Sequence, residues 1–237
     1  MNMTTHDSSP CTDIPYTDVV NHMLQTGTAP ISIEVSTPLF LNGKRICTLQ
    51  SSPHDMASLA VGYCLAEHHI PAGQEISCIK RQAGCIYLTT GEMTIPRPVP
   101  PQDNVVTAAA LYRYGNILDT LSAAHQQTHG VHEGALLRDD IVLAYAEDIG
   151  RHNVLDRLRG TACLRHLDVS RAVLIFSGRV PQSVITKVHE LGVAVIAARA
   201  MPTSLAIRQA DSCGITLICG LRTDRFRIFT HKERIIL

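Results

Sequence analysis

AVLIFSGRVPQSVITKVHELGVAVIAARAMPTSLAIRQADSCGITLIC, residues 172–219, alternates short apolar runs with segments of helical spacing. Residues 172–176, 193–197 and 215–219 read as buried strands, and 226–229 as a fourth. Between them, 181–191 and 203–211 carry apolar residues three and four apart and are closed by Gly192 and Gly214. Strands alternating with helices of about ten residues indicate βαβ units, hence an α/β fold with a largely parallel sheet and helices on its faces.

Ligands of such sheets bind beyond the carboxyl ends of the strands, so the residues that follow each strand are the first candidates for function. After the first strand come Ser177, Gly178 and Arg179, and after the second come Met201, Pro202, Thr203 and Ser204. The third is followed by Gly220, Leu221, Arg222, Thr223, Asp224 and Arg225. Two helices begin on the same edge, near Pro181 and Thr203, with unpaired backbone amides of the kind that hold phosphate. Hydroxyls, guanidinium groups and helix ends together suit a pyrophosphate or nucleotide. Ordinary N-caps and solvated arginines are the plain alternative. There is no Walker loop and no Gly-x-Gly-x-x-Gly fingerprint, which argues against an ATPase and a nicotinamide enzyme.

Upstream, 141–145 reads as a strand running into Glu147-Asp148-Ile149-Gly150-Arg151-His152-Asn153, with Gly150 as the turn and a helix over 153–159 that stops at Gly160. His152 and Asp156 are four apart and share a helical face. Arg151 lies beside the amide end of that helix, where negative charge is favoured. An anionic ligand is expected here as well; a capped turn with a surface ion pair is the alternative. The rest divides into a polar tail at 1–13, a small α+β domain at 14–91, a proline-rich linker at 92–103 and the α/β domain at 104–237. In the small domain, strands at 31–35 and 39–49 meet at the Asn42-Gly43 turn. Ser52 and Asp55 suggest a capping box for a helix ending at Pro71, and 78–89 returns to strand. Leu111, Tyr114, Leu118 and Leu121 mark a long amphipathic helix despite Gly115.

Lys+Arg and Asp+Glu are 21 each in 237 residues, so global charge recruits neither nucleic acid nor acidic membrane lipid, and any anion site must be local. No signal segment or membrane-spanning run is seen, and a cytoplasmic protein is expected. None of the eight cysteines forms a Cys-x-x-Cys pair; most read as small buried hydrophobes in a reduced protein. His132 and Glu133 invite a zinc-deaminase reading, but Glu133 follows His132 directly and the cysteine pair is missing, so no metal is expected. His125, His129 and His132 read as an ordinary polar loop.

The run Gly130 to Ala135, the motif Glu147 to Asp156, and the segments 38–43, 52–70, 177–179, 202–206 and 225–235 resemble, in order and over most of the chain, the formate dehydrogenase accessory sulfurtransferases (FdhD). That resemblance implies a cytidine-deaminase-like three-layer α/β domain behind the small one. It also implies binding of the molybdenum cofactor as Mo-bis-molybdopterin guanine dinucleotide, with GDP as a mimic. The family's nucleotide-contacting segment falls on Gly220, Leu221, Arg222, Thr223, Asp224 and Arg225, joined by Arg179, Thr203 and Ser204. Asp148, Arg151, His152 and Asn153 would shape the pocket. Implied partners are a cysteine desulfurase and a formate dehydrogenase, with a homodimer compatible. The family's Cys-Gly-x-Cys-Gly loop, which carries a persulfide, is missing: no cysteine stands between Gly91 and Thr128. The nearest, Cys85, reads as core, so no catalytic cysteine is assigned. Two readings stay open, a sulfurtransferase and a non-catalytic relative that binds or delivers the guanylylated cofactor.

Overall fold

The computed structural model describes residues 10–71, 73–93 and 104–237. Most of the expected linker lies outside them; Glu92 and Met93 end a strand. The chain opens with β1 (Cys11–Val20) and β2 (Met23–Ser32), an antiparallel ribbon turned at Asn21 and His22, both at positive φ. Cys11, Thr12 and Asp13 are therefore strand, not tail.

β3 (Val35–Leu41) and β4 (Lys44–Ser51) meet at Asn42-Gly43, whose φ values of 49° and 79° give the turn that matches strand twist. Then come α1 (Met56–Ala66), β5 (Gln74–Gln82) and β6 (Cys85–Met93). The single strand expected at 78–89 is a hairpin, because Ala83 and Gly84 both take positive φ and reverse the chain. The sheet order is β4-β3-β6-β5, and Leu59, Ala60 and Cys64 of α1 pack on Leu39, Leu49, Ile86 and Leu88. The capping box does not form. Asp55 precedes α1 in a left-handed conformation with no side-chain cap, while Ser52 bonds residues of another element.

The larger part continues with β7 (Val106–Thr107), α2 (Ala108–Leu121), α3 (Ala123–Thr128), β8 (His132–Arg138), β9 (Ile141–Asp148) and α4 (Arg151–Leu164). It ends with β10 (Val173–Phe176), α5 (Gln182–Leu191), β11 (Val195–Ala198), α6 (Ser204–Ser212), β12 (Thr216–Cys219), β13 (Arg227–Ile228) and β14 (Ile235–Ile236). The six-stranded sheet has the order β13-β12-β11-β10-β8-β9. Only β10, β11 and β12 are parallel; β8, β9 and β13 pair antiparallel, so the sheet is mixed where a largely parallel one was predicted.

Both faces of the sheet are covered, as the fully apolar strands require. Leu136, Leu174, Phe176, Ile196 and Leu217 face Val154, Leu158, Val184, Val188 and Ala206 of α4, α5 and α6. Their neighbours Ala135, Leu137, Val173, Ile175, Val195 and Ile218 face Leu111, Tyr114 and Leu118 of α2. The fold is thus α/β in three layers. No described helix is long and apolar enough to cross a membrane.

Helix α4 does not stop at Gly160 but runs to Leu164. Gly160 sits against the backbone of Ser58 in α1, and Gly62 against the carbonyls of α4 at Asp156. Two glycines let the helices touch backbone to backbone, and this crossing docks the small sheet on the large one.

Candidate functional site at the carboxyl edge of the sheet

β10, β11 and β12 end on one edge, where β8 begins. The turn after β10 is fixed by Glu133, whose N–H donates to Ser177 Oγ at 2.8 Å while Ser177 N–H donates to Glu133 O at 2.9 Å. Val180 N–H then donates to Met201 O at 3.3 Å and Thr203 N–H to Val180 O at 3.0 Å, joining the first two loops. Thr203 caps α6 by accepting from Ala206 N–H at 3.2 Å. Ser204 and Arg179 are exposed beside it.

The third loop opens at Gly220, which needs its φ of 66° and lies close to Arg227 and Met201. Arg222, Thr223, Asp224 and Arg225 are exposed, whereas Leu221 has 0% exposure and belongs to the core under α2. Leu221 therefore offers a ligand only its backbone. Arg222 N–H donates to Arg225 O at 2.8 Å, and its guanidinium reaches the carbonyls of Arg199 (2.9 Å) and Leu221 (2.7 Å). Sequence reading missed Arg199, which bonds Gly115 O (3.0 Å), Leu221 O (3.1 Å) and the Asp119 carboxylate and so ties this loop to α2. Its partners lie on distant elements, and nothing local announces the role.

Of Asp148, Arg151, His152 and Asn153, the structure keeps His152 and Asn153 on one cleft and turns Asp148 inward. Asp148 has 0% exposure and pairs with Arg157, itself 1% exposed, through Arg157 Nη2 at 2.6 Å and Nε at 2.9 Å. Its other oxygen accepts from Gly150 N–H (2.8 Å) and Asn153 Nδ2 (2.9 Å). Arg157 also donates to the carbonyls of Ser52, His54 and Asp55. Asp148 and Asn153 thus hold the turn and dock the loop before α1; Asp148 lines no surface. His152 Nε2 lies 2.8 Å from Ser183 Oγ. With Asn153, Asp156 and Lys187 it faces a cleft of about 410 Å³ that Cys47, Tyr63 and Glu67 also line. His152 and Asp156 do share a face, and Asp156 bonds Lys187 at 2.7 Å. Burial pushes the Asp156 carboxyl up to about 6 although Lys187 pulls it down. Burial, then Arg151, lowers both His132 and His152, which favours neutral imidazoles. The Nε of Arg151 is buried without a hydrogen-bond partner among the described residues.

Only Cys64 and Cys219 are fully buried; Cys11, Cys47, Cys78, Cys85, Cys163 and Cys213 are half-buried. Cys85 is not core, because it heads β6 beside the turn, its thiol 3.7 Å from Ala83 O. Burial raises the thiols of Cys47, Cys64, Cys163 and Cys219, away from the thiolate that sulfur exchange needs. No group of three or more metal-ligating side chains occurs among the described residues.

The FdhD/NarQ family model matches residues 81–236. A sulfur carrier protein FdhD from Geobacillus kaustophilus is 28% identical over 238 residues, covering 87% of this chain and 90% of that protein. The namesake protein from Staphylococcus aureus is 40% identical over 119 residues, half of this chain and 45% of its own length. A crystal structure from Desulfotalea psychrophila, assigned as a formate dehydrogenase accessory protein, superposes with a TM-score of 0.87 at 24% identity over 95% of this chain and 99% of that one. That likeness speaks for the fold. The chain belongs to the FdhD/NarQ family.

Proposed function

We propose that this protein serves a formate dehydrogenase as an accessory factor, and that its own part is to hold Mo-bis-molybdopterin guanine dinucleotide at the carboxyl edge of the sheet. Sulfur would reach that cofactor from a thiol this chain does not supply. One observation carries the proposal: three loops that follow parallel strands meet on one edge, with Arg179, Arg222 and Arg225 exposed and the α6 amides opening beside them. Guanidinium groups and helix N-termini are the partners a pyrophosphate requires. The second reading, a sulfurtransferase that relays sulfur from a cysteine desulfurase, is supported by the sulfur-carrier name of the relatives. Against it stand the lack of any cysteine between Gly91 and Thr128 and the raised thiols of Cys47, Cys64, Cys163 and Cys219.

Calorimetry with GDP tests the cofactor site. Binding is expected, and Arg179→Ala and Arg225→Ala should each weaken it about tenfold or more, since a charge-assisted phosphate contact contributes about 1.5 to 3 kcal/mol. No heat of binding at millimolar GDP removes the proposal.

A further inference from the structure

Glu133 and Glu147 stand directly opposite each other in the β8–β9 pair. By strand alternation both lie on the face that α2 covers, the face of Ala135, Leu137 and Tyr145. Directly opposed side chains in antiparallel strands start about 5 Å apart, close enough for like charges to oppose each other. The two carboxyls are treated differently by their surroundings. Oε2 of Glu147 accepts the hydroxyls of Ser122 and Tyr145, the latter at 2.8 Å, an arrangement suited to a carboxylate. Glu133 is only 2% exposed, and its Oε2 has no hydrogen-bond partner among the described residues.

The other charged groups facing Glu133 do not neutralise it. Arg199 is committed to Asp119 and to two carbonyls, and His125 Nδ1 lies 2.9 Å from Val131 O. Burial comes first in pushing the Glu133 carboxyl up to about 7; Asp119 and Glu147 add to it, and His125 and Arg199 oppose it.

We propose that Glu133 is the proton-holding member of a carboxyl pair with Glu147, and that loss of this proton loosens the cap of α3 and the Ser177 turn at the sheet edge. A second charge beside Glu147 is relieved only by separation, which strains the bonds that hold Glu147. One of those comes from Ser122, whose Oγ also accepts from His125 N–H at 2.7 Å as the N-cap of the six-residue α3. The Glu133 main chain is what fixes Ser177. The pair is therefore a proton-sensitive catch between α3 and the first loop of the edge. Its existence does not depend on which ligand that edge binds.

The folded carboxyl keeps its proton up to about 7, whereas the unfolded one loses it at its ordinary value of 4.5. Folding is therefore favoured at low pH and weakens by up to tenfold per pH unit as pH rises between those values, then levels off.

Carbon NMR of the Glu133 side-chain carboxyl in the full chain, with hydrogen exchange of the His125 amide, tests this. The resonance should titrate near neutral pH. From pH 6 to 8 exchange at His125 should accelerate several-fold beyond its intrinsic pH dependence, and this excess should vanish in Glu133→Gln. If Glu133→Gln does not fold, Glu147→Gln serves instead, and removal of the opposing charge should move the Glu133 titration to lower pH. A Glu133 carboxyl that titrates in the usual carboxylate range overturns the proposal, as does an excess that persists in Glu133→Gln or a titration unmoved in Glu147→Gln.

Discussion

Gly160→Ala is expected to lower the folding stability by roughly 3 kcal/mol in urea denaturation, and Gly160→Leu to leave no cooperative transition. A methyl group at 160 would overlap the backbone of Ser58 in α1, and one at 62 would overlap the Asp156 carbonyl in α4. Neither obstacle is a side chain that can swing aside, so α1 and α4 must move apart and the apolar contacts flanking the crossing open. Alanine in place of glycine within an unobstructed helix would instead add about 0.5–1 kcal/mol. The sign of the change therefore decides between close approach and a mere helix interruption. Gly62→Ala should behave alike, and a gain in stability from either would refute the backbone contact.

Asp148→Asn and Arg157→Met are each expected to cost about 3–5 kcal/mol, the usual loss when one partner of a fully buried ion pair is removed. Without Arg157, a buried carboxylate and the carbonyls of Ser52, His54 and Asp55 lose their donor together. Without the Asp148 charge, the guanidinium is left uncompensated in a site that water does not reach. Because the two form one network, the double variant should lose much less than the sum of the singles. Denaturant midpoints measure this. Losses below about 1 kcal/mol would show that the pair is dispensable, contrary to its burial.

The sequence is most legible where burial is complete. Residues 172–219 reveal their strands because both faces are covered and the runs are wholly apolar. The β1–β2 ribbon was missed for the opposite reason: it is exposed along most of its length, so its residues carry no periodicity to read. Gly160 looks the same in sequence whether it ends a helix or admits a neighbour, and only the position of α1 decides. Of the candidate site, Arg179, Thr203, Ser204 and Arg222 through Arg225 stand together on the predicted edge. Leu221 and Asp148 turn inward. Arg199 escaped notice, and Glu133 was read only for its place beside His132, because strand register and tertiary contact, not local spacing, give them their partners.

The central claim, that this chain presents the cofactor but does not carry the sulfur, is tested most directly by incubating the GDP-binding-competent protein with a cysteine desulfurase and cysteine labelled with radioactive sulfur. The protein is expected to remain essentially unlabelled. Label approaching one sulfur per chain, removed by reductant and abolished by a single Cys→Ala substitution, with Cys85 tried first, would contradict the account and make the chain itself the carrier.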